Sequence, residues 1–66
     1  MKIIINGQPK TVDNQATIET ILTAEGMASM KVAVALNANF IAKNDYTKTT
    51  ISEGDAIEIV APMQGG

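Results

Sequence analysis

The 66-residue sequence has no cysteine and no histidine. Without cysteine there is neither a disulfide framework nor a thiol nucleophile, so packing and backbone hydrogen bonds must hold the fold together. Without histidine the chain lacks the usual base for neutral pH, and with both residues missing it lacks the usual zinc ligands and every imidazole-based triad. No metal site is expected. Tryptophan is absent too, and Phe40 and Tyr46 are the whole aromatic content, too little for a platform on which bases could stack. Positive charge is scarce: five lysines stand against seven acids, for a net charge of −2. They are scattered singly, with no basic stripe to displace counterions from a phosphate backbone. No nucleic-acid partner is expected. Long apolar runs are missing as well. The opening Met1-Lys2-Ile3-Ile4-Ile5-Asn6 falls far short of a signal peptide or membrane span, so the expectation is a cytoplasmic chain with no membrane partner.

What is present is aliphatic. With 45% hydrophobic residues but only 3% aromatics, Ile, Val, Leu, Met and Ala must fill the core. A chain of this length makes one domain and buries roughly 60% of its unfolded surface. Lys2 to Asn6 is rich in β-branched residues and is followed by a turn signal at Gly7-Gln8, which predicts a hairpin continuing from Gln8 to Asp13. Pro9 lacks a ladder N–H, so the second strand belongs at a sheet edge. Thr17 is placed to cap a helix. Ile18, Ile21 and Leu22 then form an apolar stripe at i, i+3 and i+4, with Glu19 and Thr23 turned to water. Gly26 supplies a left-handed stop, with Met27 folding back on Leu22.

Val32-Ala33-Val34-Ala35-Leu36 alternates large and small, which puts Val32, Val34 and Leu36 inward and the alanines on the opposite face. A turn at 37–39 leads to a short returning strand, Phe40-Ile41-Ala42, and then to a polar loop, Lys43 to Ser52, expected to hold little regular structure. Glu53-Gly54-Asp55 turns the chain into a last strand, Ala56 to Val60, with Ile57 and Ile59 inward. Order is expected to stop there, at a Pro-interrupted segment ending Gly65-Gly66. One helix must cover one face of a four- or five-stranded sheet, an α+β plan, with a domain over 1–60 and a flexible tail over 61–66.

A domain this small leaves little room for a pocket of several hundred cubic ångströms, and its acids are dispersed, so catalysis by the chain alone is not expected. The end is different. At about 7% glycine, a terminal diglycine arises by chance in roughly one sequence in two hundred. Glycine has no Cβ, so a narrow channel in another protein can admit such a tail and leave the final carboxylate open to attack. Six residues beyond Val60 span at most about 20 Å, which is enough to reach a buried site.

The strand ending Asn6-Gly7, the Val32-to-Asn37 strand and turn, the Ile51-to-Val60 segment with Gly54-Asp55, and Met63-Gln64-Gly65-Gly66 together resemble the ThiS-type sulfur carriers of bacterial thiamine biosynthesis. These belong to the β-grasp superfamily, with ubiquitin and the small subunit of molybdopterin synthase. The resemblance implies a mixed sheet in the order 2-1-5-3-4 with the helix across one face. It implies a protein co-substrate rather than an enzyme, whose Gly66 carboxylate is adenylated by a ThiF-like adenylyltransferase using ATP. Sulfur from a cysteine desulfurase would make it a thiocarboxylate, which a ThiG-like thiazole synthase would consume. No cofactor would be bound. Gly65, Gln64 and Met63 would enter the partner's channel. On that fold Ala33, Ala35, Val60 and Ile4 line the uncovered sheet face and, with Phe40 and Met63, form a candidate docking patch. Where the family often has an arginine and a tryptophan after the fourth strand, this chain has Lys43 and Tyr46. A molybdopterin-synthase small subunit, a ubiquitin-like modifier and a stand-alone interaction module are the competing readings.

Overall fold

Lys2–Ile5 forms β1 and Gln8–Thr11 forms β2, paired antiparallel with Ile5 opposite Gln8 and Ile4 opposite Pro9. The computed structural model describes residues 1–61. The turn joining these strands is Asn6-Gly7, one residue earlier than expected. Both residues are left-handed, at φ 50° and 82°, the pattern of the two-residue turn whose twist matches that of the flanking strands. Asparagine tolerates that region and glycine is unhindered there, so the left-handed pair is Asn6-Gly7 and Gln8 is released to begin β2.

Helix α1, Ile18–Ala24, starts as expected at Thr17. The Thr20 N–H donates to Thr17 Oγ1 at 3.3 Å, and the Thr17 N–H donates to Thr20 Oγ1 at 2.8 Å, a reciprocal cap with threonine in the place usually held by glutamate. Gly26 at φ 77° ends it. The Gly26 N–H donates to the Thr23 carbonyl and the Met27 N–H to the Leu22 carbonyl at 2.8 Å, the two bonds of a Schellman stop.

Strand β3 is Ala33–Leu36, β4 is Asn39–Ile41 and β5 is Ala56–Val60. All five strands form one sheet in the order β2-β1-β5-β3-β4. Here β5 runs parallel to β1 and antiparallel to β3. Pro9 is indeed on an edge strand. The sequence reading started β3 at Val32 and placed β4 at 40–42; the observed strands differ from those bounds by a single residue.

One face of the sheet packs on α1. Ile3, Ile5, Val34, Ile57 and Ile59 from the sheet meet Ile18, Ile21 and Leu22 from the helix in a buried cluster, each such side chain contributing about 1.5–3 kcal/mol of transfer free energy. The segment 43–52 departs from expectation. Lys43–Asp45 forms a 3₁₀ turn, and Tyr46 and Ile51 are core residues, 8% and 4% exposed. Backbone pairing holds it down: the Ile18 N–H donates to the Thr49 carbonyl and the Ile51 N–H to the Ala16 carbonyl, both at 3.1 Å. No helix among the described residues is long and apolar enough to cross a membrane.

Candidate functional site

The described residues end at Ala61, immediately after β5, the central strand. The facing of its side chains follows from sequence, since Ile57 and Ile59 alternate with Glu58 and Val60 and turn inward. The strand is held along its length by ladders to β1 and β3 and at both ends by side chains. At one end β1 has already turned away, and Asn6 Oδ1 accepts the Ile59 N–H at 2.8 Å. At the other, Asn37 Oδ1 accepts the Ala56 N–H at 2.9 Å while Asn37 Nδ2 donates to Asp55 at 3.0 Å. Asp55 also accepts the Ser52 N–H at 2.8 Å, which closes the preceding turn. The root of the terminal segment is therefore a rigid platform rather than a frayed edge.

The uncovered face of the sheet carries three of the large exposed apolar side chains, Phe40 at 77%, Val60 at 60% and Ile4 at 42%. Register sorts them. Ala33 stands opposite Val60, and Ala35 lies between Phe40 and Glu58, so Phe40, Ala33 and Val60 fall in adjacent rows. Ala35 is on this face but is not available to a partner as expected: it is 7% exposed, because a methyl group is shielded between two long neighbours. Ile4 pairs with Ala56, four residues along β5 from Val60 and about 13 Å away at strand rise. Glu58 separates them, so Ile4 does not join the patch around Val60. Met63, Gln64, Gly65 and Gly66 lie outside the described residues.

The opposite flank holds what sequence reasoning missed. A cleft of about 480 Å³ opens beside α1, with Leu22, Val32 and Tyr46 lining it and Lys31 and Lys43 among its charged residues. This corrects the expectation that so small a domain lacks such space. The cause is segment 43–52, which packs Tyr46 against the core and leaves a gap beside the 28–32 connection. Tyr46 Oη donates to the Val32 carbonyl at 3.2 Å, tying the floor of the cleft to the start of β3. The available signal was an aromatic inside an otherwise polar stretch. Among the described residues no group of three or more Asp or Glu is placed to hold a metal ion.

Comparison with known proteins matches the ThiS family model over residues 3–66. The chain is 38% identical over its whole length to a thiazole synthase of Paramagnetospirillum magneticum and 36% identical to one of Magnetococcus marinus, but it spans only 20% of the length of each. It is 32% identical to the sulfur carrier protein ThiS of Thermus thermophilus, covering 94% of this chain and 95% of that one. The crystal structure of a thiamine biosynthesis protein (ThiS) from Geobacter metallireducens superposes with a TM-score of 0.84 at 33% identity, covering all of both chains. The match runs through the hairpin, the helix and the central strand alike, and the chain belongs to the ThiS family.

Proposed function

We propose that this protein is a sulfur carrier in thiamine biosynthesis, a co-substrate of partner enzymes whose working group is the carboxylate of Gly66. The observation that carries the reading is the direct run of the central strand β5 into Ala61-Pro62-Met63-Gln64-Gly65-Gly66. A rigid root and a diglycine end suit a terminus offered to another protein's interior.

A carboxylate is a poor electrophile. A ThiF-like adenylyltransferase joins it to AMP from ATP with loss of pyrophosphate; a persulfide supplied through a cysteine desulfurase then displaces AMP to give an acyl disulfide, and a partner's thiol cleaves the S–S bond, ending in a disulfide and releasing the thiocarboxylate. The absence of cysteine supports this chemistry, since no thiol of the chain can attack its own activated end. Thiazole synthase takes the sulfur. The thiamine branch, rather than the molybdopterin branch, is favoured by relatives named as thiazole synthases and as the sulfur carrier protein ThiS. The setting is cytoplasmic, where ATP is available. The chain binds no cofactor of its own; the ATP belongs to the partner.

Met63, Gln64 and Gly65 enter the partner's channel behind Gly66. The root docks through Val60, Ala33 and Phe40 on the uncovered face, since clustered exposed apolar area marks partner sites. Ile4 lies apart, and Ala35 supports Phe40 without touching the partner. The test is a reconstituted thiazole-forming system supplied with protein whose mass shows Gly66 as its last residue. Removing Gly65 and Gly66 must abolish product formation, and Val60→Asp must slow it. Full thiazole yield from the shortened protein overturns the reading.

A further inference from the structure

We propose that the cleft beside α1 is a second contact for the adenylating enzyme, seating one of that enzyme's apolar side chains with a carboxylate next to it. The inference rests on the carrier reading and extends it to a surface on the opposite flank of the β5 root.

Position is the first argument. Val60 and Ala33 are the last paired residues of β5 and β3. The next residue outward on β5 is Ala61, and the next on β3 is Val32, which lines the cleft. An enzyme that grips residues 61–66 therefore arrives beside the cleft.

Chemistry is the second. Leu22, Val32 and Tyr46 give the cleft an apolar floor, and Met30 lies on its wall with 43% of its surface exposed. Among the described residues, Met30 is thus the one large exposed apolar residue remote from the uncovered sheet face. An unbranched thioether repacks readily around an incoming side chain. The volume of about 480 Å³ accepts a leucine-, methionine- or phenylalanine-sized group.

Charge is the third. Among the described residues the one ion pair joins Lys10 to Glu25 at 3.8 Å. Lys31 and Lys43 both border the cleft and neither takes part in that pair, so with Glu19 the cleft has two cations to one anion in a chain of net charge −2. A carboxylate on the partner complements this locally reversed sign. A free small molecule fits less well. The Tyr46 hydroxyl already donates to the Val32 carbonyl, and among the described residues no buried side-chain nitrogen or oxygen lacks a partner, so no unpartnered buried side chain is left to orient a small ligand.

The experiment uses the full chain, the purified adenylating enzyme of the same host and ATP, and follows pyrophosphate release against carrier concentration. Four proteins are compared: wild type, Met30→Asp, the double variant Lys31→Glu/Lys43→Glu, and the charge-matched double variant Lys2→Glu/Lys48→Glu, whose positions do not line the cleft. Thermal unfolding verifies that each is folded. The expected result is a KM raised about tenfold or more for both cleft variants, with the charge-reversal effect shrinking as salt is added, and a change under about threefold for the control. A cleft double variant with the control's KM overturns the inference while leaving the carrier reading intact. Wild-type protein that releases no pyrophosphate overturns the carrier reading itself, and the inference falls with it.

Discussion

Two hairpin turns in this protein have the same geometry and different residues, and exchanging the difference measures backbone strain. Asn6-Gly7 and Asn37-Ala38 each join antiparallel strands through two left-handed residues, at φ 50° and 82° in the first and 50° and 73° in the second. The second position is glycine in one and alanine in the other. An L-residue with a Cβ is disfavoured in the left-handed region by roughly 1–2 kcal/mol. Replacing Ala38 by glycine removes that cost but loosens the unfolded chain, which returns about 0.4–1 kcal/mol. The net expectation for Ala38→Gly is a gain of about 0.5–1 kcal/mol. For a domain of this length, 1 kcal/mol shifts the midpoint by about 7 °C, so Tm should rise by about 4–7 °C in a calorimetric or circular-dichroism melt. Gly7→Ala is the mirror experiment. A Cβ built at Gly7 meets nothing within 4 Å, so its effect is purely conformational and should be a loss of similar size. A melt in which Ala38→Gly leaves Tm unchanged or lowers it refutes the strain argument.

Other perturbations probe separate layers of the account. Ile57→Ala removes a side chain that is 1% exposed in the central strand and should cost about 2–5 kcal/mol in urea unfolding, enough to unfold much of so small a domain. Tyr46→Phe keeps the ring packed and loses only the bond to the Val32 carbonyl, so it should cost about 1 kcal/mol and increase hydrogen exchange in the 43–52 segment. Thr17→Ala breaks the reciprocal cap and should cost about 1 kcal/mol in the same unfolding assay.

The sequence was informative where local chemistry and tertiary need agree. Period-two alternation at Ile57 and Ile59, the Thr17 cap, the Gly26 stop and the edge demanded by Pro9 each point to one solution, and the structure adopts it. The resemblance to a known family supplied the strand order, which periodicity alone leaves open. The segment from Lys43 to Ser52 was read as a loop because its composition is polar. Its order comes from Tyr46 and Ile51 reaching the core and from backbone pairing with residues 16–18, and a local reading sees neither. The same long-range packing creates the cleft, so that surface too was hidden. Ala35 shows the opposite error: alternation assigned its face correctly, but not the shielding by Phe40 and Glu58 across the sheet.

The claim on which the account turns is that sulfur is carried at Gly66. Intact-mass spectrometry of the protein after incubation with ATP, a sulfur donor and the host adenylating enzyme tests it most directly. The account predicts the mass increase of one oxygen replaced by sulfur, localised by fragmentation to the last residue. An unchanged mass alongside an enzyme that is active on another carrier, or sulfur found on any other residue, contradicts it.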